Sequence, residues 1–390
     1  MRILMTQREL LQAGGSEMVV VEVARTLAER GHDVVVFCPK VGDMARMLLP
    51  AGARVVRELR DVPWTPDLIH GQHHLPAMAA IARFPGTRAI YHCHGTMPWV
   101  EQPPRHVRIL KYVMMCEWMV VRAQAEFDLP PERVTCVPNF VNTTRFSEVR
   151  PPPEAIRRAL LFGGPALPDA EFSRLNGACA ALGIELDWIG RAYQNVQPRP
   201  EIFLQDYDLV FGMGKSALEA MATGCAVIPV VPGQAGQLIT SETFDQWAHA
   251  NFGPRYFTAA TQISTLWLKQ QIEAYRPADV AAVTARVRWE RTLEGAVDRI
   301  EAIYREVSAT PAELSADTSF APYLEGLARE VDALWLEREA VPVLRKRVDD
   351  LEARLFLRTP RRRLPRLRSL VLRARYGCQR LWRRLRPLRQ

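Results

Sequence analysis

The segment Gly212-Met213-Gly214-Lys215-Ser216-Ala217-Leu218-Glu219-Ala220-Met221-Ala222-Thr223-Gly224 sets glycines before a run of helix-forming residues. A nucleotide diphosphate calls for that combination. Unpaired backbone N–H groups at a helix N-terminus hold the phosphates, and a carboxylate accepts from the ribose hydroxyls. With Asp208 to Phe211 as a strand, Gly214 closes the loop, the helix opens near Ser216, and Glu219 stands a turn further on, within reach of a ribose. The plainer alternative is a solvated or capping glutamate after an ordinary glycine turn, since glycines before helices are common. A second pair, Gly14-Gly15, lies between the apolar run Ile3 to Met5 and a helical pattern through Arg30, with Ser16 as the expected N-cap.

Other reactive side chains point less clearly. His70, His73 and His74 are close in sequence, but no carboxylates stand at ligand spacing, so no metal site is expected. The seven cysteines are odd in number, scattered and never at Cys-x-x-Cys spacing, and read as free, mostly buried thiols. Cys93, between His92 and His94, is the one candidate nucleophile, though its surroundings resemble no known thiol site.

Positioning such residues takes alternating strands and helices. Ile3–Met5, Val34–Phe37, Leu68–His70 and Ala89–His92 are short apolar runs with helical stretches between them, which predicts a parallel sheet covered on both faces. Pro151, Pro152 and Pro153 suit an interdomain linker. The pattern restarts with Ala159–Phe162, the Gly163-Gly164 loop, Leu186–Ile189, Asp208–Phe211 and Val227–Val231. The reading is α/β, with a Rossmann-like domain over residues 1–150 and a second over 154–310. Residues 281–307 are helical by composition. Leu324, Leu327, Val331, Leu334, Leu344, Val348, Leu351 and Leu355 then recur in steps of three and four over a helical or coiled-coil-like segment, 320–356. That stripe either packs on the body or joins two copies into a homodimer.

The motifs, taken in order, resemble one family. "DLVFGMGKSALEAMATGCAVI" is similar to the C-terminal-domain signature of GT-B glycosyltransferases, chiefly the retaining family 4. "GGSEMVVVEVARTLAERGHDVVVF", "PDLIHGQHH", "IYHCHG" and "VPNFVNTTRF" resemble that family's glycine loop and helix, two strand ends and interdomain segment, so the likeness covers roughly residues 1 to 305. It implies two facing Rossmann-like domains and transfer of a sugar from a nucleotide-sugar donor, which is a substrate; no cofactor is expected. By the same resemblance, Gly14 and Gly15 let the backbone approach the donor phosphate or sugar, His94 contacts the transferred sugar, and His70, His73 and His74 become loop and acceptor-cleft residues. Gly214, Ser216 and Glu219 take the nucleotide; Asn139 falls near the hinge without an assigned role.

Two departures bear on mechanism. The family's second glutamate, eight residues before the position of Glu219, is Phe211 here, and "LLFGGPALPDAEFSR" lacks the family's arginine and lysine. A leaving diphosphate still needs cationic or dipolar stabilisation. Lys215 at the helix mouth is the first substitute expected and Arg191, after Leu186–Ile189, the second; an ordinary surface charge is the commoner fate of both residue types. The resulting expectation is a metal-independent, retaining transferase acting on an envelope glycan or glycolipid. The alternatives are an inverting GT-B enzyme with a lipid-linked acceptor and a non-catalytic binding or scaffold protein.

Composition sets the outer limits. With 48% hydrophobic and 24% charged residues the chain is of globular type, and no run of about 18 apolar residues is present to span a bilayer. The start Met1-Arg2-Ile3-Leu4-Met5 lacks the order of a signal peptide, so the expected location is the cytoplasm. The net charge of +8 is uneven: residues 357–390 hold 13 arginines and no acidic residue, leaving 38 basic against 43 acidic residues in the body. In that tail Leu367, Leu370, Val371, Ala374, Cys378, Leu381, Trp382 and Leu385 recur at helical spacing among the arginines. A basic amphipathic helix on an anionic membrane surface is expected, with a disordered polyanion-binding tail as the alternative.

Overall fold

The computed structural model describes residues 1–95, 99–197, 199–253, 261–310, 320–321, 323–332 and 346–347. Two parallel sheets organise it. The first has strands β1 (Arg2–Thr6), β2 (Asp33–Phe37), β3 (Arg54–Val56), β4 (Leu68–Gly71), β5 (Arg88–Cys93), β6 (Ile109–Met114) and β7 (Val134–Cys136), in the order β3-β2-β1-β4-β5-β6-β7. Helices α1 (Gly15–Glu29), α2 (His74–Arg83) and α3 (Glu117–Phe127) join its strands. Covered on both faces, such strands must be apolar throughout, and Ile3, Leu4 and Met5 are all fully buried.

The second sheet has β8 (Arg158–Phe162), β9 (Glu185–Ile189), β10 (Leu209–Gly212), β11 (Ala226–Val231) and β12 (Gln234–Ala235), in the order β9-β8-β10-β11-β12. Only the last pair is antiparallel. Its helices are α4 (Asp169–Ala180), α5 (Lys215–Ala222), α6 (Phe244–His249), α7 (Thr265–Glu273) and α8 (Pro277–Glu290); α9 (Leu293–Ala309) follows them in sequence. In each sheet the strand order reverses once, between β1 and β4 and between β8 and β10. A reversal opens a crevice beyond the carboxyl ends of the strands, where open α/β sheets bind ligands.

The boundaries differ from those expected near residue 150 and at residue 310. Val137 and Phe140 are buried in the first core, whereas Val141 and Phe146 are buried in the second. The chain therefore crosses at residues 140–141, and the three prolines already lie on the second domain, where Tyr275 donates its hydroxyl to the Pro153 carbonyl at 2.6 Å. The helical stretch 281–307 is two helices, of which α9 returns to the first domain: Val297, Ile300, Ile303 and Tyr304 join that core beside α1. The two crossings lie side by side. The Val141 N–H donates to the Arg291 carbonyl at 2.7 Å and the Leu293 N–H to the Val141 carbonyl at 3.0 Å.

Residues 323–332 are helical, as the apolar stripe suggests. The rest of that stripe, from Leu334 to Leu355, and the whole arginine-rich tail 357–390 lie outside the described residues. Among the described residues no helix is long and apolar enough to cross a membrane.

Candidate active site

The eight residues expected to meet the donor (Gly14, Gly15, His94, Arg191, Gly214, Lys215, Ser216 and Glu219) line one cleft between the two sheets. A cavity of about 310 Å3 is bounded by Gly14, Gly15, Arg191, Lys215, Ser216 and Glu219. Another, of about 560 Å3, is bounded by His94 and Gly214 and shares Gly15, Arg191, Lys215 and Ser216 with the first.

Two helix N-termini meet at this cleft. The α1 helix is capped by Gly14, not by Ser16: the Gly14 carbonyl accepts from the Met18 N–H at 3.0 Å, which puts Ser16 in the first turn with its hydroxyl on Glu17. A Cβ placed on Gly15 would meet no atom within 4 Å, because the space beside it is the cleft. Across from it, α5 is capped by Gly214 at φ 57° and ψ −126°, a conformation that L side chains rarely adopt. The Gly214 N–H donates to the Asn251 carbonyl at 3.1 Å, and the Asn251 side chain accepts from Asn139 Nδ2 at 3.0 Å. Asn139 thus links the crossing segment to the loop that shapes the α5 N-terminus.

Lys215 is not the open cation expected at the helix mouth. It is buried, with Nζ 2.8 Å from Glu22 Oε2, 3.2 Å from the Phe140 carbonyl and 3.8 Å from Glu219 Oε1. Its charge is already committed to Glu22, which projects from α1 of the other domain. Arg145 extends the cluster, 2.8 Å from Glu201 and 3.8 Å from Glu22, and it too lines the smaller cavity. Arg199, 3.2 Å from Glu201, adds a third cation to the three carboxylates. Burial pushes the Glu219 carboxyl up to about 7; Lys215 pulls it down and Glu22 pushes it further up. Glu219 titrates near neutrality, and its ionised form suits two hydroxyl donors.

Arg191 is the more available cation. Its side chain is 49% exposed, reaches the first-domain loop by donating to the Gln12 carbonyl at 3.2 Å, and lies 3.8 Å from Glu9. The Gly163-Gly164 loop at the end of β8, with φ near +70° at both residues, completes the wall of the smaller cavity. Phe211 is fully buried within the second domain, so no carboxylate occupies that position.

His94 is partly exposed on the larger cavity and donates from Nε2 to Gln72 Oε1. Its ring stacks on His92 at 4.8 Å, and His92 stacks on His70 at 5.6 Å. His70 is hydrogen-bonded to the Tyr304 hydroxyl of α9 at 2.6 Å. Burial, then the neighbouring His92, His73 and His70, hold the His94 imidazole well below its ordinary range.

The three histidines read as loop and cleft residues separate. His70 is inside the sheet, and His74 is buried against Trp99 with its pKa pushed down to about 4 by burial. His73 alone reaches the cleft, at φ 56°, with Nδ1 accepting from the Arg8 N–H and Nε2 3.9 Å from Glu101. Among the described residues no group of three or more His, Cys, Asp or Glu is placed to hold a metal ion. Cys93 is fully buried, its thiol bonded to the Gly95 carbonyl and pushed far up by burial, which removes it as a nucleophile.

Sequence reasoning passed over Glu22, Arg145, Gln72 and Asn251. Glu22 did leave a signal, a lone carboxylate inside the run Met18-Val19-Val20-Val21-Glu22-Val23-Ala24 on a helix that must bury that face. The other three are placed by tertiary contacts that no local pattern announces.

Residues 13–145 match the family model Glycosyltransferase Family 4. No curated protein matches the sequence significantly. The fold is similar to the crystal structure of a glycosyltransferase from Rickettsia africae, with a TM-score of 0.58 at 12% identity over 80% of this chain and 99% of that one. It is also similar to WaaG, a glycosyltransferase involved in lipopolysaccharide biosynthesis, with a TM-score of 0.51 at 15% identity over 76% and 99% of the two chains. The matched segment carries the first glycine loop and His94: the chain has the GT-B fold of these structures and, over residues 13–145, resembles glycosyltransferase family 4.

Proposed function

We propose that the chain moves a sugar from a nucleotide-sugar donor to an envelope glycan or glycolipid acceptor, without a metal ion and with retention at the anomeric carbon. The observation that carries this is the meeting of the α1 and α5 N-termini in one cleft, at the strand reversals of both sheets. Backbone N–H groups of α5 and the Arg191 guanidinium would receive the diphosphate, Glu219 the ribose, and His94 the sugar. Helix dipoles and a guanidinium stabilise a leaving diphosphate electrostatically, so a divalent cation is not required by this reading.

Glu101 beside His73 on the larger cavity favours the second reading, an inverting transfer with a carboxylate to take the acceptor proton. Phe211 in the core and Lys215 bound to Glu22 are what favour a non-catalytic protein. One experiment separates the three: incubate the purified protein with a panel of nucleotide sugars and candidate acceptors, with and without EDTA, and read the product anomer by NMR. Retained configuration with full activity in EDTA is expected. An inverted product supports the second reading, metal dependence removes the metal-free part, and donor binding without transfer or hydrolysis supports the third.

The tail belongs to the same proposal. Thirteen arginines among regularly spaced leucines would lay residues 357–390 on an anionic cytoplasmic membrane surface, near a lipid-linked acceptor, at roughly 1 kcal/mol per basic residue close to the lipid. The stripe in 323–356 would join two copies. Cosedimentation with anionic and neutral vesicles should capture the full chain and lose a version ending at residue 356. Equal binding of both versions removes the tail as anchor.

A further inference from the structure

The polar groups beneath His94 form a built support rather than a chance contact. Gln72 follows β4 directly and is fully buried. Its backbone is clasped by the last residue of β1: the Gln72 N–H donates to Thr6 Oγ1, and Thr6 Oγ1 donates to the Gln72 carbonyl, both at 2.8 Å. The clasp lies at the strand reversal of the first sheet, so the side chain starts from a backbone held by two hydrogen bonds. From there Gln72 Oε1 accepts from His94 Nε2, while its amide nitrogen has no hydrogen-bond partner. The side chain's bonding is directed wholly at His94.

We propose that Gln72 is a positioning residue that holds His94 as its neutral Nε2–H tautomer and leaves Nδ1 as an acceptor for a hydroxyl of the bound sugar. The choice of amide matters. A carboxylate in that place would favour imidazolium, whereas an amide oxygen orients the ring and adds no charge. The groups around the ring act in the same direction or at a distance. His92 of β5 and His70 of β4 stack below it, His70 is tied to Tyr304 of α9, and His73 stands beside it. Arg8, Glu17, Glu101, Arg191 and Lys215 bound the same cavity. The role of the sugar hydroxyl rests on the proposed function; the tautomer and its support do not.

The test is imidazole 15N NMR of the full chain across pH, with His94 identified by the resonance missing from His94→Gln. Wild type is expected to show the Nε2–H tautomer and to stay neutral where exposed histidines titrate, near about 6.5. Gln72→Glu should raise the His94 midpoint by about 1 unit or more, and Gln72→Ala should mix the tautomers. Binding of ADP, GDP or UDP within about threefold of wild type reports that the variants are folded, because a nucleotide would contact neither residue. Turnover should fall about 10- to 100-fold in Gln72→Ala, with the acid limb of the pH profile moving upward in Gln72→Glu. An Nδ1–H tautomer in wild type, or a His94 midpoint unmoved in Gln72→Glu, overturns the proposal. The expected NMR result with unchanged turnover would instead refute the contact between His94 and the sugar.

Discussion

The two glycine loops that face each other across the cleft look alike in sequence and are built for different tasks. At the first, Gly14-Gly15, the helix begins beside open space, and a Cβ on Gly15 would project into it unopposed. At the second, the Lys215 side chain at the start of α5 is drawn onto Glu22 and Gly214 is held at positive φ beside Asn251, while Ser216 still borders the cleft. The first loop is shaped by what it must leave empty, and the second by what it must hold across the domain gap. Glycine before a helix therefore reports a helix N-terminus but not whether the side chains beside it are free for a ligand.

The comparison can be broken most severely at the second loop. Lys215→Ala removes one partner of a buried ion pair and leaves Glu22 with only Arg145, 3.8 Å away, which should cost about 3 to 5 kcal/mol of stability. Replacing both partners, Lys215→Met with Glu22→Leu, should recover most of it. Thermal and urea unfolding of the single and double variants measure this, and a Lys215→Ala protein as stable as wild type would show that the pair does not form in solution.

At the first loop the expected signs are opposite. Gly15→Val should leave unfolding nearly unchanged, because a Cβ there meets no protein atom, yet weaken nucleotide diphosphate binding by tenfold or more, about 1.4 kcal/mol or above. Calorimetry on a variant whose unfolding curve matches wild type decides it. Undiminished affinity would place the nucleotide elsewhere.

Glu219 gives the third and finest separation. Its folded pKa is raised, so the native state holds more protons than the unfolded chain between the ordinary carboxylate range and about 7. Wild type should consequently lose stability relative to Glu219→Gln as pH rises through that window without ligand. With ligand the order reverses: the ionised carboxylate accepts from ribose, so affinity should fall as pH drops below about 7. Glu219→Gln should bind less tightly by roughly 1.5 to 3 kcal/mol at pH 8 and show a flat pH profile. A variant that is less stable at pH 8, or as pH-dependent as wild type, would contradict the assignment.

Much of this was legible in the sequence because it is local. The alternation of apolar runs and helices foretold both sheets, and the glycine loops foretold where the helices begin, since strand length, helix caps and positive φ are properties of a few consecutive residues. What could not be read is pairing over distance. Lys215 looked like a mouth cation because its partner, Glu22, is 193 residues away. The interdomain crossing was misplaced because three prolines are conspicuous, whereas the burial of Phe140 in one core and Val141 in the other is not. Helix α9 was assigned to the domain it follows, though its apolar stripe belongs to the domain it returns to.

The most direct test of the central claim is a measurement of nucleoside diphosphate release from a panel of nucleotide sugars, wild type beside Gly15→Val. Release by wild type from at least one donor, and its loss in an equally stable Gly15→Val protein, is expected. Release from no donor, or equal release by the two proteins, would contradict a glycosyl-transfer site in the cleft between the two sheets.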